Sequence, residues 1–250
     1  VSVFFPIIFC LMAFVIGLSA GATVLVGQAW GAKNIEKVHS VVGSTLFMTL
    51  IGGSVIAFLG VFFAKYILLA LGTNAEVLHL SIPYVQWMLA GSPLLFIYII
   101  YTSILRGVGD STTPLIASCM TIATGLIITP VLIAGKFGLP KLGIVGPAIA
   151  TTVGFSIALI FLYVYLNRKN HPLRPDAALL RHIRYEPELS KIILRLGIPT
   201  GIQMVTTSVA GLVIVGLVNR YGADATAAYG AVNQVLNYIQ FPALSIAIAA

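Results

Sequence analysis

Five uncharged polar side chains carry the strongest chemical signal in the sequence: Gln203, Thr207, Asn233, Asn237 and Gln240, all within apolar stretches. Asn233, Asn237 and Gln240 stand at i, i+4 and i+7, so a helix presents them on one face, with Tyr229 a turn earlier and Gln234 beside them. The preceding apolar stretch carries Gln203, Thr206 and Thr207 on one side. Counted from the helix ends, Thr207 and Asn237 fall near the middle of their spans, with Gln203 and Gln240 about 5 Å away. Amides and hydroxyls at such depth do one of two things. They bond neighbouring helices together, each bond contributing on the order of 0.6 kcal/mol, or they line a water-accessible cavity. Residue type and spacing leave both readings open.

Other chemistry lacks its residues. The seven acids, Glu36, Glu76, Asp110, Asp176, Glu186, Glu188 and Asp224, and the four histidines lie outside the apolar stretches or at their ends. No acid–base pair or metal cluster assembles at depth, so neither enzymatic catalysis nor a metal site nor a cofactor is expected. Gly107-Val108-Gly109-Asp110 has no following lysine and no preceding strand, which excludes a phosphate-binding loop. Cys10 and Cys119 sit in apolar stretches without metal-ligand spacing and read as packing residues. Gln28 and Asn34 flank a helix end in Gly27-Gln28-Ala29-Trp30-Gly31-Ala32-Lys33-Asn34, where capping by glycine and asparagine explains them.

The elements that position these residues follow from composition. Of 250 residues, 59% are hydrophobic and 8% charged, where soluble domains carry roughly a quarter charged. Seven stretches reach the roughly 20 apolar residues that a membrane helix needs: 1–27, 41–71, 81–105, 113–135, 143–167, 197–218 and 226–250. The fold class is therefore all-α, a polytopic transmembrane bundle. Ten of the fourteen basic residues fall in alternate connections, which the positive-inside rule makes cytoplasmic. The net charge of +7 thus reports membrane orientation and not nucleic acid.

The longest connection, 168–196, holds seven of those ten, and Leu189, Ile192, Ile193 and Leu196 recur there at helical spacing as in a short interfacial helix. Three regions follow: 1–167 with five spans, 168–196 as a cytoplasmic linker, and 197–250 with two spans. Gly17/Gly21, Gly27/Gly31 and Gly197/Gly201 have the spacing of close helix crossings. Pro130 and Pro242 interrupt apolar stretches and predict kinks. Starting at Val1 and ending in an apolar run at Ala250, the sequence reads as truncated on both sides.

Five segments, in order, resemble the multidrug and toxic compound extrusion (MATE) family. Gly27 to Asn34 is similar to its Gln-Ala-x-Gly-Ala-x-Asn segment after the second helix. Leu105 to Pro114 resembles its loop between the fourth and fifth helices, and Gly143 to Thr151 the start of its sixth. Gly197-Ile198-Pro199 and Asn233-Gln234 resemble parts of its seventh and eighth. The resemblance implies a two-lobe, twelve-helix architecture of which this chain is part, multi-pass in the plasma or inner membrane. It implies a central cavity and export of organic, cationic or amphipathic solutes in exchange for protons or sodium ions. The expected partners are such a small-molecule solute and the lipid bilayer. Gln203, Thr207, Asn233, Asn237 and Gln240 become the expected substrate-binding residues. Gln28, Tyr101, Thr129 and Thr151 are expected at the cavity or coupling region.

Where some members carry acids in the fifth and seventh helices, this sequence has Thr129 and Thr207. The coupling carboxylate is therefore expected outside these residues, in a helix preceding Val1. A lipid-linked oligosaccharide flippase of the same superfamily and a channel or structural membrane module are the alternatives. An arginine-rich cavity would mark the former, and a pore loop or ring of charges the latter.

Overall fold

The computed structural model describes residues 5–70, 75–135, 141–176, 179, 181–219, 228–236, 238–240 and 242. Helix α1 spans Phe5–Gly31, α2 Ile35–Ala70, α3 Ala75–Ala90, α4 Ser92–Gly107, α5 Thr112–Ala134, α6 Gly146–Arg168 and α7 Pro187–Asn219. A 3₁₀ turn at Gly143–Val145 leads into α6, and residues 228–236 and 238–240 are also helical. The chain divides into two compact units, Val1–Ile202 and Gln203–Ala250.

Among the described residues, five helices are each long and apolar enough to cross a bilayer, and α3 with α4 forms a sixth span if the bent pair is taken as one. In the first unit, α1 turns Val15, Leu18, Ala22 and Val26 inward at helical spacing, against the buried Phe96, Ile100 and Ile104 of α4 and the buried face of α2. The outer faces are equally apolar: α2 exposes Phe58, Phe62 and Tyr66, and Leu126 of α5 leaves 72% of its surface uncovered. Such a surface fits hydrocarbon and not water. Of the glycines expected at close crossings, Gly17, Gly21, Gly197 and Gly201 lie at one, while a Cβ on Gly31 would meet nothing within 4 Å. A Cβ on Gly17 would stand 2.8 Å from the Gly197 carbonyl oxygen, and one on Gly21 would strike the backbone of Ile193, so α1 and the start of α7 cross backbone to backbone.

Three sequence expectations are corrected. The span over 81–105 is broken at Gly91, where its two halves meet at 42°. Pro93 has no N–H to give the Leu89 carbonyl, and the Ser92 hydroxyl donates to that oxygen instead, at 2.7 Å. Pro130, where a kink was expected, lies inside α5. The segment expected as a separate interfacial helix continues unbroken into α7. Asn34 caps the start of α2, its Oδ1 accepting the Lys37 N–H at 2.9 Å, while Lys33 takes the left-handed conformation that ends α1.

That last arrangement recurs. After α1, α4 and α6 the chain makes the same turn, with Lys33, Gly109 and Asn170 at positive φ. In each, an N–H bonds back across six residues: Asn34 to the Ala29 carbonyl, Asp110 to Leu105 and His171 to Leu166. The side chain of that sixth residue then receives the next N–H groups, Lys37 on Asn34, Thr112 and Thr113 on Asp110, and Leu173 on His171. The linker after α6 is seated on the bundle. Leu173 and Leu179 are buried, Tyr101 Oη donates to the Leu173 carbonyl, and His39 Nε2 donates to the Pro172 carbonyl at 2.8 Å. Further along, the Glu186 N–H donates to Ser44 Oγ at 3.3 Å.

Candidate functional site

The break between α3 and α4 opens a cavity of about 200 Å³ inside the first unit. Its walls come from four helices: Met12 of α1, Tyr84 and Met88 of α3, Ser92 and Leu95 of α4, and Ala148, Thr151, Thr152 and Phe155 of α6. Gly91 is required where the walls meet, because any Cβ there would collide with Thr152 Oγ1. The Phe155 ring is held by Tyr98, with centroids 5.2 Å apart, and Tyr98 Oη bonds Ser118 Oγ at 2.9 Å.

Three hydroxyl protons at this cavity, those of Ser92, Thr151 and Thr152, are committed to nearby carbonyls of the same chain segment. Ser92 donates to the Leu89 carbonyl, Thr151 to Pro147 at 2.7 Å and Thr152 to Ala148 at 3.0 Å. Each oxygen then offers a solute lone pairs. The thioethers of Met12 and Met88 and the rings of Tyr84 and Phe155 supply polarisable apolar surface. No acid, lysine or arginine is among the described residues that line it.

Of the residues expected at a cavity or coupling region, Thr151 lines this cavity and the others do not. Gln28 is exposed near the end of α1, and Thr129 lies half-buried on α5. Tyr101 is buried on α4 and fastens the linker, a positioning role. The five substrate-binding candidates belong to the second unit. Thr207 Oγ1 donates to the Gln203 carbonyl at 2.9 Å, and Asn233 Nδ2 to the Tyr229 carbonyl at 3.1 Å, so both satisfy their own helices. Gln203 and Gln240 are exposed, and Asn237 lies outside the described residues.

A model of the MatE family matches residues 1–131 and 199–250. The chain belongs to the MatE family. Over its whole length it is 43% identical to a probable multidrug resistance protein, YoeA, of Bacillus subtilis strain 168, covering 54% of that protein. It is 28% identical over 98% of its length to the multidrug export protein MepA of Staphylococcus haemolyticus, covering 52% of it. A crystal structure of a MATE protein in the straight conformation superposes with a TM-score of 0.87 at 25% identity, over 100% of this chain and 54% of that one. The chain therefore spans about half the length of the curated relatives it matches, and it is part of a multi-pass membrane protein of a transporter family.

Within this MatE bundle, sequence reasoning missed Met12, Tyr84, Met88, Ser92 and Thr152. The signal was present as Gly91-Ser92-Pro93 in the middle of an apolar stretch: a residue without Cβ, a hydroxyl able to serve a freed carbonyl, and the proline that frees it. Asp110 and His171 stand in the turns that follow α4 and α6. Asp110 is half-exposed; its partial burial acts to raise its pKa, but hydrogen bonds from the Thr113 hydroxyl, the Thr113 and Thr112 N–H groups and the nearby His171 outweigh this and hold it below the usual value. Burial lowers the pKa of His171, with Lys169 acting in the same direction and Asp110 against it.

Proposed function

We propose that the protein to which this chain contributes exports organic, cationic or amphipathic solutes in exchange for protons or sodium ions. The cavity at the α3–α4 break carries the reading. It offers hydrogen-bond acceptors, thioethers and two aromatic rings, a combination that suits an amphipathic cation with N–H donors. The relatives named for multidrug resistance and export support it. Exchange against an ion needs a group that changes charge or ligation during the cycle. Among the described residues the acids stand in loops or at helix ends, so the coupling carboxylate is proposed to come from elsewhere in the whole protein.

The test is dye export by the full-length protein in proteoliposomes under an imposed proton or sodium gradient. Met88→Trp, which fills the cavity, is expected to lower export of a fluorescent organic cation by about tenfold or more, and Thr152→Val to weaken apparent dye affinity by a smaller factor. Unchanged export by Met88→Trp at normal membrane abundance would contradict the reading.

A further inference from the structure

A second hollow of about 270 Å³ lies on the first unit, formed by Leu46 and Leu50 of α2, Ile97 and Tyr101 of α4, Leu159, Leu162 and Tyr163 of α6, and Pro175 and Ile183 of the linker. None of these residues lines the cavity at the helix break. We propose that this groove seats one acyl chain of an anionic phospholipid whose headgroup is held by the linker arginines.

Three observations support it. The groove wall is almost wholly hydrocarbon and opens on an apolar outer face, where Leu50, Ile160, Tyr163 and Val164 are exposed. An acyl chain matches a hydrocarbon wall of this kind in a membrane protein. One end of the groove is closed by the linker, which Tyr101 fixes through the Leu173 carbonyl. Tyr163, half-exposed and about 7.5 Å from the end of α6, stands where aromatic side chains meet the headgroup layer.

Charge complementarity selects the headgroup. Segment 168–186 carries Arg168, Lys169, Arg174, Arg181 and Arg184 against Asp176 and Glu186. Both acids are already engaged, Asp176 with Arg174 and Glu186 with Arg184, each at 3.1 Å. Arg184 makes that contact through Nε and keeps 68% of its side chain exposed, and Arg181 is exposed. Arg184 adjoins Ile183, a residue of the groove wall, and Arg181 stands two residues before it, so the guanidinium groups that suit a phosphodiester are on the segment that closes the groove.

The experiment uses the full-length protein in vesicles doped with phosphatidylglycerol or phosphatidylcholine bearing a photoactivatable acyl chain, with labelled positions mapped by peptide sequencing. Phosphatidylglycerol is expected to label Leu50, Leu159 and Tyr163 above the lipid-exposed Leu126 and Ile127 of α5. Arg181→Gln and Arg184→Gln are expected to weaken that labelling by about fivefold each. Leu159→Trp, which fills the groove, should abolish it while labelling on α5 stays as in wild type, the sign of a folded protein. Equal labelling of the groove by phosphatidylcholine, labelling no stronger than on α5, or displacement by soluble glycerol phosphate would overturn the proposal.

Discussion

The cavity at the α3–α4 break and the groove beside the linker belong to the same unit, share α4 and α6, and differ little in volume, about 200 against about 270 Å³. Their chemistry differs because their backbones differ. Along the groove α2, α4 and α6 run unbroken, backbone groups are paired within each helix, and the wall offers hydrocarbon; charge arrives only from the linker at its rim. At the cavity a glycine and a proline interrupt the span, and hydroxyls gather where the break brings α6 close. Inside a membrane, a hollow becomes polar enough to hold a solute where a helix is interrupted.

The largest effect that could break this contrast comes from Gly91→Val. Its side chain would collide with Thr152, so overpacking should cost about 1–3 kcal/mol and close the cavity together. In the groove, Ile97→Val should cost only about 0.5–1.5 kcal/mol and leave export intact. Thermal unfolding of the detergent-solubilised full-length protein, beside dye export, checks the pair; equal behaviour of the two variants would remove the distinction.

A further effect of similar size sharpens the cause of the break. Ser92→Ala leaves the Leu89 carbonyl without its donor and should destabilise by about 1–3 kcal/mol. With Pro93→Ala also present, a backbone N–H becomes available to that carbonyl, and the cost of Ser92→Ala should shrink. Additive costs in this double-mutant cycle would mean that proline and serine act independently.

These examples show how far the sequence was legible. Span positions could be read because some 20 apolar residues have few alternatives in a chain of this composition. The α1–α7 crossing was legible as paired glycines at Gly17/Gly21 and Gly197/Gly201, since a close approach leaves a gap in side-chain size. The cavity was not, because Met12, Met88 and Thr152 are ordinary membrane-helix residues until the bend gathers them. Nor was the seating of the linker, which rests on backbone carbonyls of Pro172 and Leu173 that no residue type reveals. Polar side chains at helical spacing, such as Asn233, drew attention first, yet its amide serves its own helix.

The smallest expected effect concerns pH at the linker. His171 Nδ1 accepts the Leu173 N–H at 3.1 Å, which requires that nitrogen to be unprotonated. Burial holds the pKa of His171 below the ordinary 6.5, so the unfolded segment binds the proton more readily. The contribution is complete above pH 6.5 and is lost as pH falls from there through the depressed folded value. Asp110 and Lys169, the charged groups facing it, keep their charge across this window. Limited proteolysis of the linker should accelerate between about pH 8 and about pH 5.5 in wild type, and His171→Gln should flatten that dependence. A flat profile in wild type would contradict it.

The most direct measurement is photoaffinity labelling of the full-length protein in membranes with a cationic amphipathic dye carrying a diazirine, with and without excess unlabelled solute. Competed adducts are expected on Met88, Thr152 or Phe155, the wall of the cavity beside the broken span. Competed adducts confined to other segments, with residues 84–95 and 148–155 unlabelled, would contradict a solute site at the helix break.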